Sequence, residues 1–301
     1  MIKILLWVLL SMAVFFVTFF IFDLIKHKNK LESHSSWPKS SLIGFIAYFF
    51  DALGIGAFAP ATAMLKFSKQ IKDINIPGTL NVSCVIPTII EAFIFIETVT
   101  VDPLTLVSII MAAGIGGWVG AKVVTKLPEH KIQLGIGIAL LVTAVLILAG
   151  KMHFLPTGGG TNIGLTHWKL AVALVGSFVI GTVAAIGIGF FAPCMAMLYL
   201  LGISPLVIFP IMMGSCAFVS PIASIKFIKE KAYNRKIALS MIAGGVIGVL
   251  IAIYIVESLP LKILQWLVIG IILYTSIVML RASKRHKTSQ TVNAQSAISD
   301  H

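Results

Sequence analysis

Charged side chains are scarce in this 301-residue chain: only 11% of its residues are Asp, Glu, Lys or Arg, and 58% are hydrophobic. Soluble domains carry about a quarter charged residues, and one soluble core would not enclose this apolar excess. The long apolar runs also lack the alternating pattern of membrane β-barrel strands. The composition therefore excludes an ordinary soluble protein and predicts an all-α, polytopic integral membrane protein in a lipid bilayer.

Cysteines and catalytic motifs are also few. Cys84, Cys194 and Cys216, the three cysteines, all fall in apolar segments, and an odd number there argues against a disulfide framework. We expect them to be small packing residues. The seven histidines fall in predicted loops, tails or helix ends, and the metalloprotease, serine-hydrolase and Walker A motifs are missing. The sequence thus predicts no enzyme activity, no cofactor and no metal site.

Acidic residues are half as common as basic ones, 11 against 23, which gives a formal net charge of +12. The basic residues occur in short clusters between apolar runs, where they set the orientation of membrane helices. The positive charge is therefore attributed to topology, and no nucleic-acid partner is expected.

The apolar runs divide the chain into five parts. An unbroken apolar run follows Lys3 without a small-residue cleavage site after it, so 1–25 is predicted to be a retained N-terminal transmembrane helix. A first transmembrane repeat covers 40–150, a Gly-rich linker 151–168, and a second transmembrane repeat 169–281. The basic and polar remainder, 282–301, is predicted to be a cytoplasmic tail.

The two halves resemble each other at an offset of about 130 residues. The sequence LGIGAFAP at 53–60 matches IGIGFFAP at 186–193, and the Ser-Cys pair at 83–84 matches the pair at 215–216. GGWVG at 116–120 is similar to GGVIG at 244–248. Internal repeats of this kind are typical of secondary transporters.

Basic residues also discriminate between two topologies, because they favour the cytoplasmic side. If every apolar run crosses the membrane once, 15 Lys and Arg lie inside and 8 outside. If each repeat instead begins with a broken, re-entrant helix pair, 19 lie inside and 4 outside. We favour the second arrangement. Three transmembrane helices then complete each repeat, and the two repeats are inverted.

The Gly-Ile-Gly…Pro sequences at 54–60 and 187–193 are predicted to be breaks followed by a new helix start. Glycine adopts backbone angles that other residues resist, and proline fits the first turn of a helix. A helix start presents unpaired N–H groups that can hold an anion. The alternative is that glycines only allow close helix packing, which we expect for the runs at 114–120 and 244–248. The candidate anion-binding residues at the two breaks are Gly54, Gly56, Pro60, Gly187, Gly189 and Pro193.

Polar residues within the apolar runs complete the candidate site. Asn81, Ser83 and its counterpart Ser215 could contact the anion or could make ordinary interhelical hydrogen bonds. Asp51 and Glu91 are carboxyl groups in apolar surroundings, and such residues are functional candidates that could carry a coupling proton. Alternatively, Asp51 caps the helix after the break and Glu91 pairs with a basic residue.

The two breaks, the Ser-Cys segments and the sequence GIGGWVGAK at 114–122 together resemble the sulfite exporter family (the TauE/SafE group), over about 42–280. KAYNR at 231–235 falls where that family tends to have a Gly-x-Val-x-Trp-Arg-like loop. The family often continues the first break as Gly-x-Gly-Gly-Gly, whereas this chain has Ala57-Phe58 and Phe190-Phe191 at those positions. The resemblance implies export or exchange of small anions, often sulfite or organosulfonates, across the inner membrane.

The leading hypothesis is thus a secondary transporter, with export as its direction, for a small anion such as sulfite or an organosulfonate. It would work by alternating access around the paired broken helices. A passive anion channel and a non-transporting membrane accessory protein are the alternatives. We expect a multi-pass protein of the bacterial inner membrane with a cytoplasmic C-terminus, and a homodimer is possible.

Overall fold

The computed structural model describes residues 1–27, 35–72, 75–123, 160–184 and 190–258, with parts of 134–148 and 260–281. Much of 124–150, the last part of the predicted first repeat, lies outside the described residues, as does the predicted tail at 282–301. A further helical segment, Ile269–Val278, follows the named helices. The helices are α1 (Ile2–Lys26), α2 (Trp37–Ala52), α3 (Phe58–Ser68), α4 (Ile76–Thr98), α5 (Pro103–Val123), α6 (His167–Ala184), α7 (Phe191–Leu200), α8 (Pro205–Lys229) and α9 (Arg235–Ser258).

The described part of the chain is built from helices. Five of them, α1, α4, α6, α8 and α9, are long and apolar enough to cross a membrane. This confirms the prediction of a helical membrane protein, and α1 matches the predicted N-terminal transmembrane helix. The remaining elements include short helices: α2 has 16 residues, α3 has 11 and α7 has 10, whereas a full crossing takes about 20.

Two helix pairs pack with their backbones in close contact. α2 lies along α9, and α6 lies along α5. A Cβ added to Gly244 of α9 would clash with the backbone of Ser41 in α2, and one added to Gly116 of α5 would clash with the backbone of Phe178 in α6. The glycines of 114–120 and 244–248 therefore allow close helix packing, as predicted. The two pairs correspond under the sequence repeat, since α2 matches α6 and α9 matches α5.

The long helices α4 and α8 form the centre of the molecule. They pack against each other, α4 also packs against α9, and α8 correspondingly packs against α5. Of the candidate membrane spans, α4 and α8 have the largest shares of buried residues, 72% and 61% of an 18-residue stretch in each helix. The elements that precede them, α3 and α7, pack on α4 and α8 respectively.

One end of the molecule collects the starts of α2, α4 and α9 and the end of α3. The Ser36 N–H donates to Oε1 of Gln70 at 2.6 Å and so joins the start of α2 to the end of α3. The Asn234 N–H donates to Oγ1 of Thr79 at 2.9 Å, which joins the starts of α9 and α4. We call this the Lys-rich end, because the described basic residues in its helix termini and loops are Lys26, Lys39, Lys66, Lys69, Lys72, Lys226, Lys229, Lys231, Arg235 and Lys236.

α1 is attached to the Lys-rich end by a buried polar cluster. Asp23 Oδ2 accepts hydrogen bonds of 2.6 Å from both Tyr233 Oη and Arg235 Nε. A second contact, 3.3 Å long, joins Arg235 to Asp23 Oδ1. Tyr233 and Arg235 belong to the loop sequence that carried part of the family resemblance, and this loop therefore has a structural role in holding α1.

The opposite end of the molecule collects the start of α6 and the end of α7. The Ser204 N–H, just before α8, donates to the carbonyl of Asn162, just before α6, at 3.0 Å. The Asp102 N–H, just before α5, donates to the carbonyl of Ile163 at 2.9 Å. The chain therefore enters α6 and leaves α7 at the same end of the molecule.

Candidate functional site

The first predicted break is a sharp turn between α2 and α3. α2 ends at Ala52, and the Ile55 N–H donates back to the carbonyl of Phe50 at 3.0 Å, as at glycine-terminated helices. Gly54 and Gly56 both have φ of +89°, a conformation that favours glycine. The sequence Gly-Ile-Gly is therefore required by the backbone of this turn.

Asp51 bridges the break. Its Oδ1 accepts a 2.6 Å hydrogen bond from the N–H of Ala57, the residue before α3, and its side chain is 4% exposed. An acidic group at a helix start is stabilised by the unpaired N–H groups and the helix dipole. The capping alternative considered from the sequence is thus present in the geometry, and it does not exclude a second role.

The break lies against the start of α7, the helix that follows the second break. A Cβ added to Gly54 would lie 2.7 Å from Cε of Met195, and one added to Gly56 would lie 3.8 Å from Cδ2 of Phe191. The starts of α3 and α7 therefore come together near the centre of the molecule. Phe191, a bulky residue where the family often has glycine, fills space beside the first break. Gly187 and Gly189, the glycines of the second predicted break, lie outside the described residues.

The two prolines lie in the first turns of the short helices. Pro60 is the third residue of α3 and Pro193 is the third residue of α7, and each is half-buried. The first intrahelical hydrogen bonds come after them, from Ala61 N–H and Cys194 N–H. The N–H groups before these points, at 58–59 and 191–192, have no partner within their own helices. N–H groups at a helix start are a type of donor that can bind an anion.

Glu91 is the most unusual buried group near the break. It lies in α4, its side chain is 0% exposed, and neither of its carboxyl oxygens has a hydrogen-bond partner within the described structure. Its charge interacts with that of Asp51. The alternative that Glu91 pairs with a basic residue is not supported by the described residues. An ionised carboxyl without partners is costly in such surroundings.

Tyr48 joins the break to α4 and was missed by the sequence argument. A 2.7 Å hydrogen bond connects its Oη to Oγ of Ser83, and both side chains are 0% exposed. Ser83 also donates to the carbonyl of Leu80 at 3.2 Å. Tyr48 lies one turn before Asp51 on α2 and therefore on the same helix face. This spacing was the sequence signal that could have identified Tyr48 as a neighbour of the break.

Asn81 and Ser215, the other polar candidates, are bound within their own helices. Asn81 Nδ2 donates to the carbonyl of Pro77 at 2.9 Å, and Ser215 Oγ donates to the carbonyl of Ile211 at 2.7 Å. The Ser215 bond uses the donor hydrogen of that hydroxyl, and the Asn81 bond uses one of the two donor hydrogens of that amide. Of the three polar candidates, Ser83 alone links two helices beside Asp51.

The three cysteines lie in α4, α7 and α8. Cys84 and Cys194 are buried and Cys216 is half-buried. α7 packs on α8, and α8 packs on α4, so the three helices that carry the cysteines are in contact. The cysteines are free thiols, and the described residues hold no group of His, Cys, Asp and Glu suited to a metal ion.

The two halves differ most at the carboxyl groups. At the offset that aligns the breaks, Ala184 corresponds to Asp51; at the offset that aligns the Ser-Cys pairs, Ala223 corresponds to Glu91. The sequences of the helix starts are repeated, whereas the carboxyl groups of Asp51 and Glu91 have no carboxyl counterpart at the equivalent positions of the second half. Beside Pro60 the surroundings are apolar, with a cavity of about 370 Å³ lined by Phe50, Ile55, Pro60, Gly270, Ile271 and Tyr274.

Comparison with protein families gave a match over most of the chain. The model of the family described as Sulfite exporter TauE/SafE matches residues 1–147 and 169–299. Comparisons with curated proteins and with solved structures gave no match.

Proposed function

The chain belongs to the sulfite exporter TauE/SafE family, and from this premise we propose that it is a secondary transporter that exports a small anion such as sulfite or an organosulfonate. The observation that carries the proposal is the meeting of two helix starts, α3 and α7, inside a helical membrane protein. At each start, the N–H groups at 58–59 or 191–192 precede the first hydrogen bond within the helix. Such groups survive within a membrane only where they face protein or a wet cavity, and they favour an anion.

The proposed mechanism is alternating access around two inverted repeats, 40–150 and 169–281. The bond between Ser36 and Gln70 supports a re-entrant α2–α3 pair, because it joins the start of α2 to the end of α3. The bond between Ser204 and Asn162 supports a second pair, α6–α7, that enters from the opposite end. Two such pairs of opposite direction are the arrangement expected of inverted repeats.

The orientation follows from the distribution of charge. The Lys-rich end carries most of the described basic residues, whereas the opposite end has Glu97 in the last turn of α4 and Asp102 just before α5. Positive residues favour the cytoplasmic side. This distribution supports our proposal that the Lys-rich end and the C-terminal tail face the cytoplasm, and we propose that the membrane is the bacterial inner membrane.

Asp51 and Glu91 are the proposed coupling groups. A buried carboxyl with no hydrogen-bond partner, as Glu91 is, is a residue type that carries protons in transporters. This observation favours a transporter over a passive channel, since a channel has no need of a buried proton site. The paired helix starts disfavour an accessory protein without transport.

The test is anion flux in proteoliposomes, with sulfite and a panel of small organic and inorganic anions, with and without a proton gradient. A double variant, Pro60→Ala with Pro193→Ala, removes the proline ring from both helix starts and adds one backbone N–H group to each. The matched control is Pro38→Ala with Pro103→Ala, two exposed prolines in the first turns of α2 and α5.

Saturable, gradient-sensitive flux that the double variant loses and the control keeps would support the proposal. Saturable flux that ignores the proton gradient in the wild type would favour the channel. Flux of no anion in well-folded wild-type protein would overturn anion transport.

A further inference from the structure

The start of α3 already holds a carboxylate of the same chain. Asp51 Oδ1 accepts the Ala57 N–H at 2.6 Å, beside the donors that the proposed function assigns to the substrate. We propose that Asp51 is a built-in competitor of the transported anion, so that the anion reaches the start of α3 only when Asp51 takes up a proton. This inference rests on the proposed function and specifies how its coupling works.

The charge around the site supports obligatory proton uptake. Glu91 is fully buried, has no hydrogen-bond partner in the described structure, and interacts with Asp51. Ionising two neighbouring carboxyl groups in buried surroundings is unfavourable, because burial and like charge both oppose the second charge. A substrate anion would add a further negative charge to this region. Binding is therefore favourable only if a positive charge enters with it.

The titratable groups that face Asp51 supply no such positive charge. Tyr48 from its own helix, Cys84 and Glu91 from α4 and Cys216 from α8 are the groups whose charges interact with it. All are acids, and no Lys, Arg or His of the described chain belongs to this set. The elements α3, α7 and α9 contribute no described charged group to it either. A proton from the aqueous phase is the remaining source.

The second half lacks this device. Ala184 stands where the first half has Asp51, so the equivalent position carries no carboxylate to compete for the N–H groups at the start of α7. One competitor in the molecule implies one proton for each anion.

In the proposed step, one proton binds to Asp51 as one anion binds to the helix start. In the empty site Asp51 is ionised and holds the Ala57 N–H. One proton from water binds the Asp51 carboxylate, the anion takes over the N–H, and no covalent bond other than the O–H bond forms. Release of the anion returns the proton to water on the side to which the site is then open. The proton and the anion therefore travel in the same direction, and export is driven by the outward gradient of the anion itself.

The experiment measures proton uptake when an anion binds. Wild-type protein in lipid nanodiscs is titrated with methanesulfonate, which does not itself titrate near neutral pH, in a weakly buffered solution with a pH-indicating dye. We expect about one proton taken up for each anion bound, and an affinity that rises about tenfold for each pH unit lowered over the range in which Asp51 titrates.

Asp51→Asn is expected to bind methanesulfonate with no proton uptake and with an affinity that does not change with pH. Asp102→Asn is the matched control. Its carboxylate also caps a helix start, accepting the Thr105 N–H at 2.8 Å. It lies between the end of α4 and the start of α5, away from the break. The control variant is expected to behave as the wild type does.

Anion binding by the wild type without proton uptake would overturn the inference, and this measurement needs no variant. Proton uptake that persists in folded Asp51→Asn would overturn it as well. If the wild type binds neither methanesulfonate nor sulfite, the proposed function itself fails, and that outcome is distinct from the other two.

Discussion

The backbone N–H of Ser36 lies 2.6 Å from Oε1 of Gln70, so the chain returns after α3 to the end of the molecule from which α2 starts. Between these two residues the chain passes through Asp51, Gly54 and Gly56. A pair of short helices, 16 and 11 residues long, thus reaches the centre of the molecule and comes back. Such a return is what the proposed re-entrant helix pair requires.

The first prediction concerns the side of the membrane on which this pair ends. A cysteine at Lys69, just after α3, is expected to react with an impermeant maleimide only from the cytoplasmic side, and a cysteine at Glu97 only from outside. A cysteine at Lys231, in the loop between α8 and α9, is the control, because both topologies leave it in the cytoplasm. Labelling of Lys69→Cys from outside alone would rule out the re-entrant pair.

The second prediction separates two uses of glycine. Gly56→Ala forces a side chain into φ of +89° but meets no atom closer than 3.8 Å, so we expect a loss of about 1–2 kcal/mol in unfolding free energy. Gly244→Ala would push its Cβ into the Ser41 backbone, and we expect a larger loss of stability. Thermal unfolding in detergent measures both, with Gly270→Ala, which has open space around it, as the control. Equal effects of the first two changes would contradict this distinction.

Much of this arrangement was predictable from sequence because its signals are local. Gly-Ile-Gly and a following proline mark a turn and a helix start wherever they occur. Apolar length marks membrane spans, and the 130-residue offset marks the repeat. The contact between Gly56 and Phe191 was not predictable, because it depends on how the two halves pack. For the same reason Asn81 and Ser215 were candidates on composition alone, and their bonds to their own helices became visible only in three dimensions.

The third prediction concerns the bond between Tyr48 and Ser83, which joins α2 to α4 beside the break. Tyr48→Phe removes a buried hydroxyl, and Ser83→Ala removes its partner. Each change is expected to cost about 1 kcal/mol of unfolding free energy, and the double variant is expected to cost less than the sum because the two hydroxyls share one bond. Ser215→Ala is the control, since its hydroxyl bonds only within α8, and it should be additive with Tyr48→Phe. Strict additivity of Tyr48→Phe with Ser83→Ala would show that the bond contributes nothing.

The fourth prediction concerns the attachment of α1. Arg235→Gln removes the charge that holds Asp23, and hydrogen bonds to charged groups contribute about 1.5–3 kcal/mol. We expect a lower unfolding temperature and faster proteolysis between α1 and α2. Lys226→Gln, an exposed residue at the same end, serves as the control and should change neither readout. An unaltered cleavage rate in Arg235→Gln would indicate that α1 is held by apolar packing alone.

The last prediction concerns Glu91, whose two carboxyl oxygens are buried without partners in the described structure. Glutamine has nearly the same shape but does not exchange a proton, so Glu91→Gln is expected to fold normally and to lose proton-gradient-driven flux of sulfite. The change is informative because a purely structural role would make the isosteric variant active. Glu97→Gln, exposed on the same helix, is the control and should transport as the wild type does. Flux is measured in proteoliposomes with an imposed proton gradient, with size-exclusion profiles to establish folding. Full gradient-driven flux in Glu91→Gln would remove Glu91 from the coupling mechanism and leave Asp51 as the single coupling group.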